Sequence, residues 1–385
     1  MMDVRRIPLW SGRNGTYISN DLIKLIIEDK GETGLELSTL NSAGGRINAY
    51  SIPYFRGREL SVLDDNNQDW YKGKDKTYNA GGHYIDFPSK DYNGKVVSLE
   101  EWIVKRYGSE NKYGGLWKYS ECVMEDQYTM KKIELVLPDE HVVYSLIRVT
   151  NTSTEDLKHK FACHIMLGSS FIEQGTMFST AASKFFAPQP NVRQILKTSV
   201  VAEQEFTDLK HAPGHNGSSV NLSVYSANTG TYDHIQGKIE KSPAFGYNCF
   251  INPKSQLMYL LFFPSSGTKL PANIASFEKT DTCFNYYGRH DSPWALYEGG
   301  SPQVLSVTTG FGYYNEERVI APGESKDFIY GQAFMPYKNP RMGLGYHNIA
   351  FNEKEILLSR TKSTHSIKAE TDFKTILGLG EKLFN

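Results

Sequence analysis

Apolar and polar residues alternate along most of this chain in short runs, at the period of two that belongs to strands. Residues 22–28 and 34–38 flank a Gly-containing turn and read as a hairpin, and residues 48–54 follow as another strand. From Lys118 onward the pattern is regular. Residues 118–123, 128–137 and 141–150 are strand-like, separated by acidic or Pro turns, as in a meander. The cluster Asn151-Thr152-Ser153-Thr154-Glu155 then turns the chain into a further strand over 161–168. Alternation weakens between 173 and 219, where Pro188, Pro190, Pro213 and Gly214 mark a long excursion with room for some helix. It returns over 220–225, 235–239, 257–263, 305–313 and 328–334. Residues 352–360 and 372–384 carry helical spacing and good helix formers. No linker, low-complexity tract or fixed-period repeat interrupts the chain. The expectation is a mainly β protein, one large antiparallel β-sandwich over residues 1–385, with a helical tail at 340–385 packed on it.

The stretch 79–117 stands out. Gly81-Gly82 lets the backbone take φ > 0 or approach another group closely. The residues after it, His83, Ile85 and Phe87 against Tyr84 and Asp86, alternate as in a half-buried strand, which puts His83 on one face and Asp86 on the other. Pro88 ends the ladder because it has no N–H to give. The stretch closes on Tyr113-Gly114-Gly115-Leu116-Trp117. A rigid strand end that carries an imidazole and a carboxylate beside a flexible turn suits a small polar ligand; a plain hairpin with a surface His would read the same way.

Composition narrows the class of function. The net charge is −1 and the isoelectric point about 6.8, with Lys and Arg scattered, so neither nucleic acid nor an anionic membrane is an expected partner. The 24 Tyr and 20 Phe fit pleated sheets and sugar-stacking clefts alike. Cys122, Cys163, Cys249 and Cys283 are far apart and form no CxxC pair, which argues against a zinc knuckle or a redox motif. The first residues contain no apolar core of a signal peptide, and no apolar run reaches the ~18 residues of a membrane helix. A cytoplasmic protein with free thiols is expected.

The order of motifs is more specific than any one of them. Gly81 to Pro88, Tyr113 to Trp117, Asn151 to Ser153, His164 and Pro322-Gly323-Glu324 follow one another as in the galactose mutarotase-like superfamily, which includes aldose 1-epimerases and hexose-6-phosphate epimerases. The chain resembles that family over residues 17–335. The resemblance implies a β-supersandwich with a sugar cleft across one sheet. It also implies acid–base chemistry: a carboxylate takes the anomeric hydroxyl proton while an imidazole protonates the ring oxygen, and the ring opens and recloses on its other face. Carried across, the acid is His164 and the base is Glu298, 24 residues before Pro322, with Glu316 or Glu317 as alternatives.

Two departures qualify this. Tyr113 stands where the family often has a substrate-contacting His, so His83 is expected to supply that imidazole. The Asn-His-Pro-Tyr-Phe run of true galactose mutarotases is absent; Cys163-His164-Ile165-Met166-Leu167 stands there. Arg56, Asp86, Tyr113, Trp117, Arg289 and Asp291 are expected substrate contacts, with Arg46 and His290 behind them. No cofactor and no metal-ligand motif is expected. The expected partner is a small-molecule carbohydrate, and the reading leaves room for a homodimer. The function expected is an isomerase of the aldose 1-epimerase type. A non-catalytic carbohydrate-binding protein and a related sugar lyase or isomerase stay open beside it.

Overall fold

The computed structural model describes residues 2–9, 14–51, 82–88, 102–110, 114–168, 171–189, 198–226, 231–240, 243–286, 306–314, 316–337, 348–360 and 363–385. Two large antiparallel sheets pack face to face across a shared apolar core. The front sheet has twelve strands. Its central part runs Gly34–Leu40, His83–Asp86, Ala162–Leu167, Ser306–Gly312, Lys279–Tyr286, Thr231–Lys238. The middle sheet has eight strands, in the order Met177–Thr180, Phe245–Asn252, Leu257–Pro264, Ser325–Pro336, Val142–Asn151, Tyr128–Val136, Gly115–Met124, Ile103–Glu110.

At its centre the middle sheet is mostly apolar on both faces because both are covered. Leu257–Pro264 is buried at every position. Leu257, Tyr259, Leu261 and Phe263 join the core between the two sheets, while Met258, Leu260 and Phe262 join a second core on the other side. A cap closes that second core. It consists of the three-stranded sheet Asn348–Asn352, Glu355–Arg360 and Ser363–Lys368, and the helix Lys374–Phe384. Its Ile356, Leu358, Ile367, Phe373, Ile376 and Leu379 pack against the middle sheet.

Two expectations need correction. Residues 352–360 are not helical: Asn352 pairs with Glu355 across a tight turn, and Ile356 and Leu358 alternate inward from a strand. The helix formers Glu353, Lys354 and Glu355 sit at or beside the hairpin turn, where docking of the alternate face overrides propensity. The excursion between 173 and 219 holds short strands, one 3₁₀ turn at Leu209–His211 and a left-handed turn at Asn216-Gly217, rather than α-helix among its described residues. No helix of the described residues is long and apolar enough to cross a membrane.

The sandwich interior also contains charge. Lys118 and Lys132 project inward from the middle sheet, each 1% exposed. Glu32 reaches them from the turn that precedes the front-sheet strand Gly34–Leu40, with its backbone in the left-handed region at φ 54°. Its carboxylate pairs with the Lys118 ammonium, and Lys132 Nζ lies 3.6 Å away. Lys132 also pairs with Glu134 at 2.7 Å, and Glu134 accepts a hydrogen bond from Ser145 at 2.6 Å. Asp29 lies 3.6 Å from Lys118 and bonds Thr16 and Arg6 at its outer end. Burial alone would raise the Glu32 pKa; the two lysines outweigh it and hold the carboxyl below its usual range. Burial likewise opposes the Lys132 charge, and Glu134 and Glu32 more than restore it.

Removing one member of such a network strands the others. Lys132→Met is expected to cost ~3–5 kcal/mol, because Glu134 and Glu32 stay buried with one cation fewer. The double variant Lys132→Met/Glu134→Gln should recover part of that loss, with a coupling of about 1 kcal/mol or more in a urea-unfolding cycle. A single-variant cost under about 1 kcal/mol would show that the network carries no such role.

His159 generates a pH prediction. It is buried among Phe87, Tyr313 and Phe328, and its Nδ1 has no hydrogen-bond partner among the described residues. Burial, with Arg318 and Lys326 nearby, lowers its pKa from 6.5 to about 4. The unfolded chain takes up this proton first as pH falls, so the stabilisation is complete above 6.5 and is lost toward 4. His159→Phe should therefore flatten the dependence, gaining about 2 kcal/mol on the wild type at pH 5 relative to pH 7.5 in urea midpoints. An unchanged difference between the two pH values would refute it.

Candidate functional site

The site is built on the outer face of the front sheet, the face turned away from the middle sheet. Strand alternation assigns the side chains. In Ala162–Leu167, Cys163, Ile165 and Leu167 enter the core, so His164 points outward. In Ser306–Gly312, Val307 and Phe311 point in and Thr308, Gly310 and Gly312 point out. In Lys279–Tyr286, Phe284 and Tyr286 point in and Asp281 and Cys283 point out. In Thr231–Lys238, Ile235 points in and His234 and Gln236 point out.

Register then aligns these residues into one row. Tyr84 lies opposite His164, His164 opposite Gly310, Gly310 opposite Asp281, and Asp281 opposite Gln236. The Tyr84 ring stacks on the His164 imidazole with centroids 5.0 Å apart and 18° between planes. Tyr314 meets the same imidazole edge-on at 6.3 Å. Gly310 is required where it stands: a Cβ there would lie 2.0 Å from the Cys163 carbonyl oxygen and 3.1 Å from the Tyr314 hydroxyl. It adds no side chain between His164 and Asp281, whose strands are roughly 10 Å apart by ordinary strand spacing, and the Tyr314 hydroxyl lies over it.

The row has a marked electrostatic asymmetry. His164 is 6% exposed. Burial lowers its pKa; Asp86 and Asp281 oppose that shift, His234 adds to it, and the ring stays neutral at pH 7. His234 behaves oppositely. Burial would lower its pKa too, but Asp281, with Cys283, holds it well above the usual imidazole range. Its Nε2 donates to Asp281 Oδ1 at 2.6 Å, forming an ion pair. A neutral imidazole and a charged imidazolium thus share one face, with a carboxylate between their strands. Such a face can hydrogen-bond hydroxyl groups and pass protons.

Solved structures share this architecture. A protein of Klebsiella pneumoniae, provisionally named an aldose 1-epimerase, superposes with a TM-score of 0.59 at 10% identity, over 87% of this chain and 83% of its own. A galactose mutarotase-like protein of Clostridium acetobutylicum gives a TM-score of 0.55 at 12% identity, over 87% of this chain and 99% of its own. The fold is that of the galactose mutarotase-like proteins. A TPR-domain containing protein of Parabacteroides distasonis also superposes, with a TM-score of 0.53 at 11% identity, over 96% of this chain and 55% of its own. No protein-family model and no curated protein matches the sequence.

Within this galactose mutarotase-like fold the expected site residues separate. His164 and Asp86 share the outer face; Asp86 sits opposite Ala162, two residues from His164. His83 does not join them. It faces the sandwich interior, 2% exposed, with Nε2 2.6 Å from the Tyr330 hydroxyl. Burial, with Lys132 behind it, holds its pKa well below the usual value. From there it cannot touch a ligand on the outer face, so its expected role as a substrate-contacting imidazole is withdrawn. Trp117 is also displaced. It packs into the second core on the far side of the middle sheet, against Gly108, where no ligand of the front sheet reaches it. Arg46 lies on the Arg46–Asn48 strand and bonds Ser38. Glu316 is tied to Lys279 and Arg318 at 2.7 and 2.8 Å, and Glu317 to Lys158 at 3.4 Å. Glu298, Arg56, Tyr113, Arg289, His290 and Asp291 lie outside the described residues.

Tyr84, His234, Asp281, Cys283 and Tyr314 complete the face and were not anticipated. The available signal was a polar residue at each of the outward positions His234, Gln236, Asp281 and Cys283, but the inward Asp233, Thr280 and Thr282 are polar too and blur it.

All four cysteines are free; Cys122, Cys163 and Cys249 are buried and Cys283 is half-buried on this face. Burial also pushes the Cys249 thiol up to about 12 and the Cys163 thiol further still, which suppresses their thiolates. In native protein, dithiobis(nitrobenzoate) should therefore modify Cys283 first, and Cys283→Ser should abolish the fast phase; all four thiols should react in denaturant. A fast phase that survives Cys283→Ser would contradict the assigned exposure.

Proposed function

We propose that the outer face of the front sheet binds a carbohydrate and isomerises it by acid–base chemistry of the aldose 1-epimerase type. The observation that carries this reading is the position of His164: an outward imidazole in mid-sheet, stacked on Tyr84 and bordering Gly310, which adds no side chain of its own beneath the Tyr314 hydroxyl. The named relatives of the same fold, one provisionally an aldose 1-epimerase and one a galactose mutarotase-like protein, support it. In this reading His164 gives its proton to the ring oxygen of the sugar. Asp86 accepts hydrogen bonds from sugar hydroxyls, and a carboxylate takes the anomeric proton. Glu298 remains the proposed base by resemblance, with Arg56, Tyr113, Arg289 and Asp291 as further proposed contacts of the sugar.

The neutral state of His164 also supports a second reading, a carbohydrate-binding protein without turnover, since a neutral imidazole is a poor acid. The two readings part on one measurement. An NMR screen of anomer equilibration over neutral aldoses, phosphorylated aldoses and uronic acids should find a substrate. On it, His164→Asn should lose ~10²–10⁴ in kcat/KM. Because the His164 pKa lies below 6.5, wild-type kcat/KM should rise as pH falls from 7.5 toward 6, a trend absent from His164→Asn. Sugar binding without acceleration of any anomer would favour the non-catalytic reading and end the epimerase one.

A further inference from the structure

A second chemistry is built into the same face. His234 and Cys283 are direct cross-strand partners, both outward, and Asp281 precedes Cys283 by two residues on the same face. One donor atom from each, an imidazole nitrogen, a carboxylate oxygen and a thiol sulfur, lie within 4.8 Å of one another. The carboxylate spans the group: Asp281 Oδ1 takes the His234 hydrogen bond at 2.6 Å, and Oδ2 lies 3.9 Å from the Cys283 sulfur. One carboxylate thus gathers a nitrogen and a sulfur through two protons.

We propose that His234, Asp281 and Cys283 bind a divalent transition-metal ion of the zinc class. The donor set decides the class. Thiolate and imidazole suit zinc and its cobalt surrogate, whereas magnesium and calcium call for oxygen ligands. Zinc–ligand bonds of ~2.0–2.3 Å put ligand atoms about 3.3–3.8 Å apart around a tetrahedral ion. From 2.6 Å between His234 and Asp281 and 3.9 Å between Asp281 and Cys283, that spacing asks the first contact to open and the second to close slightly. Binding takes up the ion and releases the Cys283 thiol proton and the proton shared by His234 and Asp281. His234 is 21% exposed at its side chain, which gives the ion an approach from solvent. Three protein ligands leave a fourth position. On one side of the trio the next strand presents Gly310 opposite Asp281, so that no side chain stands on that strand between the ion and the His164 strand. The site goes beyond the carbohydrate reading, and its test does not require turnover of any sugar.

The full-length protein, stripped with a chelator and kept reduced, is titrated with Co²⁺ alone and then with Zn²⁺. One equivalent of Co²⁺ should produce a thiolate-to-cobalt charge-transfer band, and Zn²⁺ should abolish the band by displacement. Zn²⁺ should also slow the modification of Cys283 by dithiobis(nitrobenzoate) at least ~10-fold. Cys283→Ser should remove the band. His234→Ala and Asp281→Asn should weaken Co²⁺ binding by more than about 100-fold, beyond the 10–100-fold that outer partners of a metal site are worth. Far-UV circular dichroism confirms that each variant is folded; if one is not, the wild-type titration still decides. No thiolate band in the wild type, or a band that persists in Cys283→Ser, overturns the proposal.

Discussion

The buried ion network between the sheets is the constraint on which the rest of this architecture rests. Glu32 belongs to the front sheet and its cations, Lys118 and Lys132, belong to the middle sheet. Apolar side chains would let two pleated faces slide and repack; a carboxylate that must meet two ammonium groups in a low-dielectric space has one place to be. Desolvation offsets most of the Coulomb attraction, so the network contributes register more than net stability. The register then propagates. Gly34, two residues from Glu32, pairs with His83, and a Cβ on Gly34 would lie 2.9 Å from the His83 Cβ. His83 pins its strand inward through Tyr330, and the next residue, Tyr84, is thereby turned outward onto His164.

The middle sheet gives this arrangement its stiffness. It is sandwiched between the front sheet and the cap, and Asp327 on its longest strand holds Arg148 through two 2.8 Å hydrogen bonds. A candidate site carried on mid-sheet strands, backed by a layer that is itself backed, is held to tighter tolerances than one carried on loops.

Much of this was legible from alternation alone. The strands from Gly115 to Leu167 and those at 257–264 and 325–336 lie where period-two patterning put them. The assignment of His83 and Asp86 to opposite faces also holds. Alternation does not say which face is outside. An interior that carries lysines, glutamates and tyrosines makes a buried His look like a site His, which is how His83 was misread. Trp117 fell to the same ambiguity, one layer further back, because the cap covers what would otherwise be solvent-facing positions. The trio His234, Asp281 and Cys283 was illegible for another reason: its members come from strands about 50 residues apart, and only the pairing of Thr231–Lys238 with Lys279–Tyr286 unites them.

The glycines at 310 and 312 have an evolutionary consequence. Gly310 and Gly312 give the face a floor of peptide, and any Cβ at either would strike the neighbouring strand, at 2.0 Å from the Cys163 carbonyl and 2.5 Å from that of Phe161. Pocket walls made of side chains can drift, methyl by methyl, toward a new ligand. A floor made of backbone has no such intermediate steps. Descendants of this chain would keep the two glycines or lose that backbone floor in a single mutation, so change in what the face accepts is channelled into the residues at its rim.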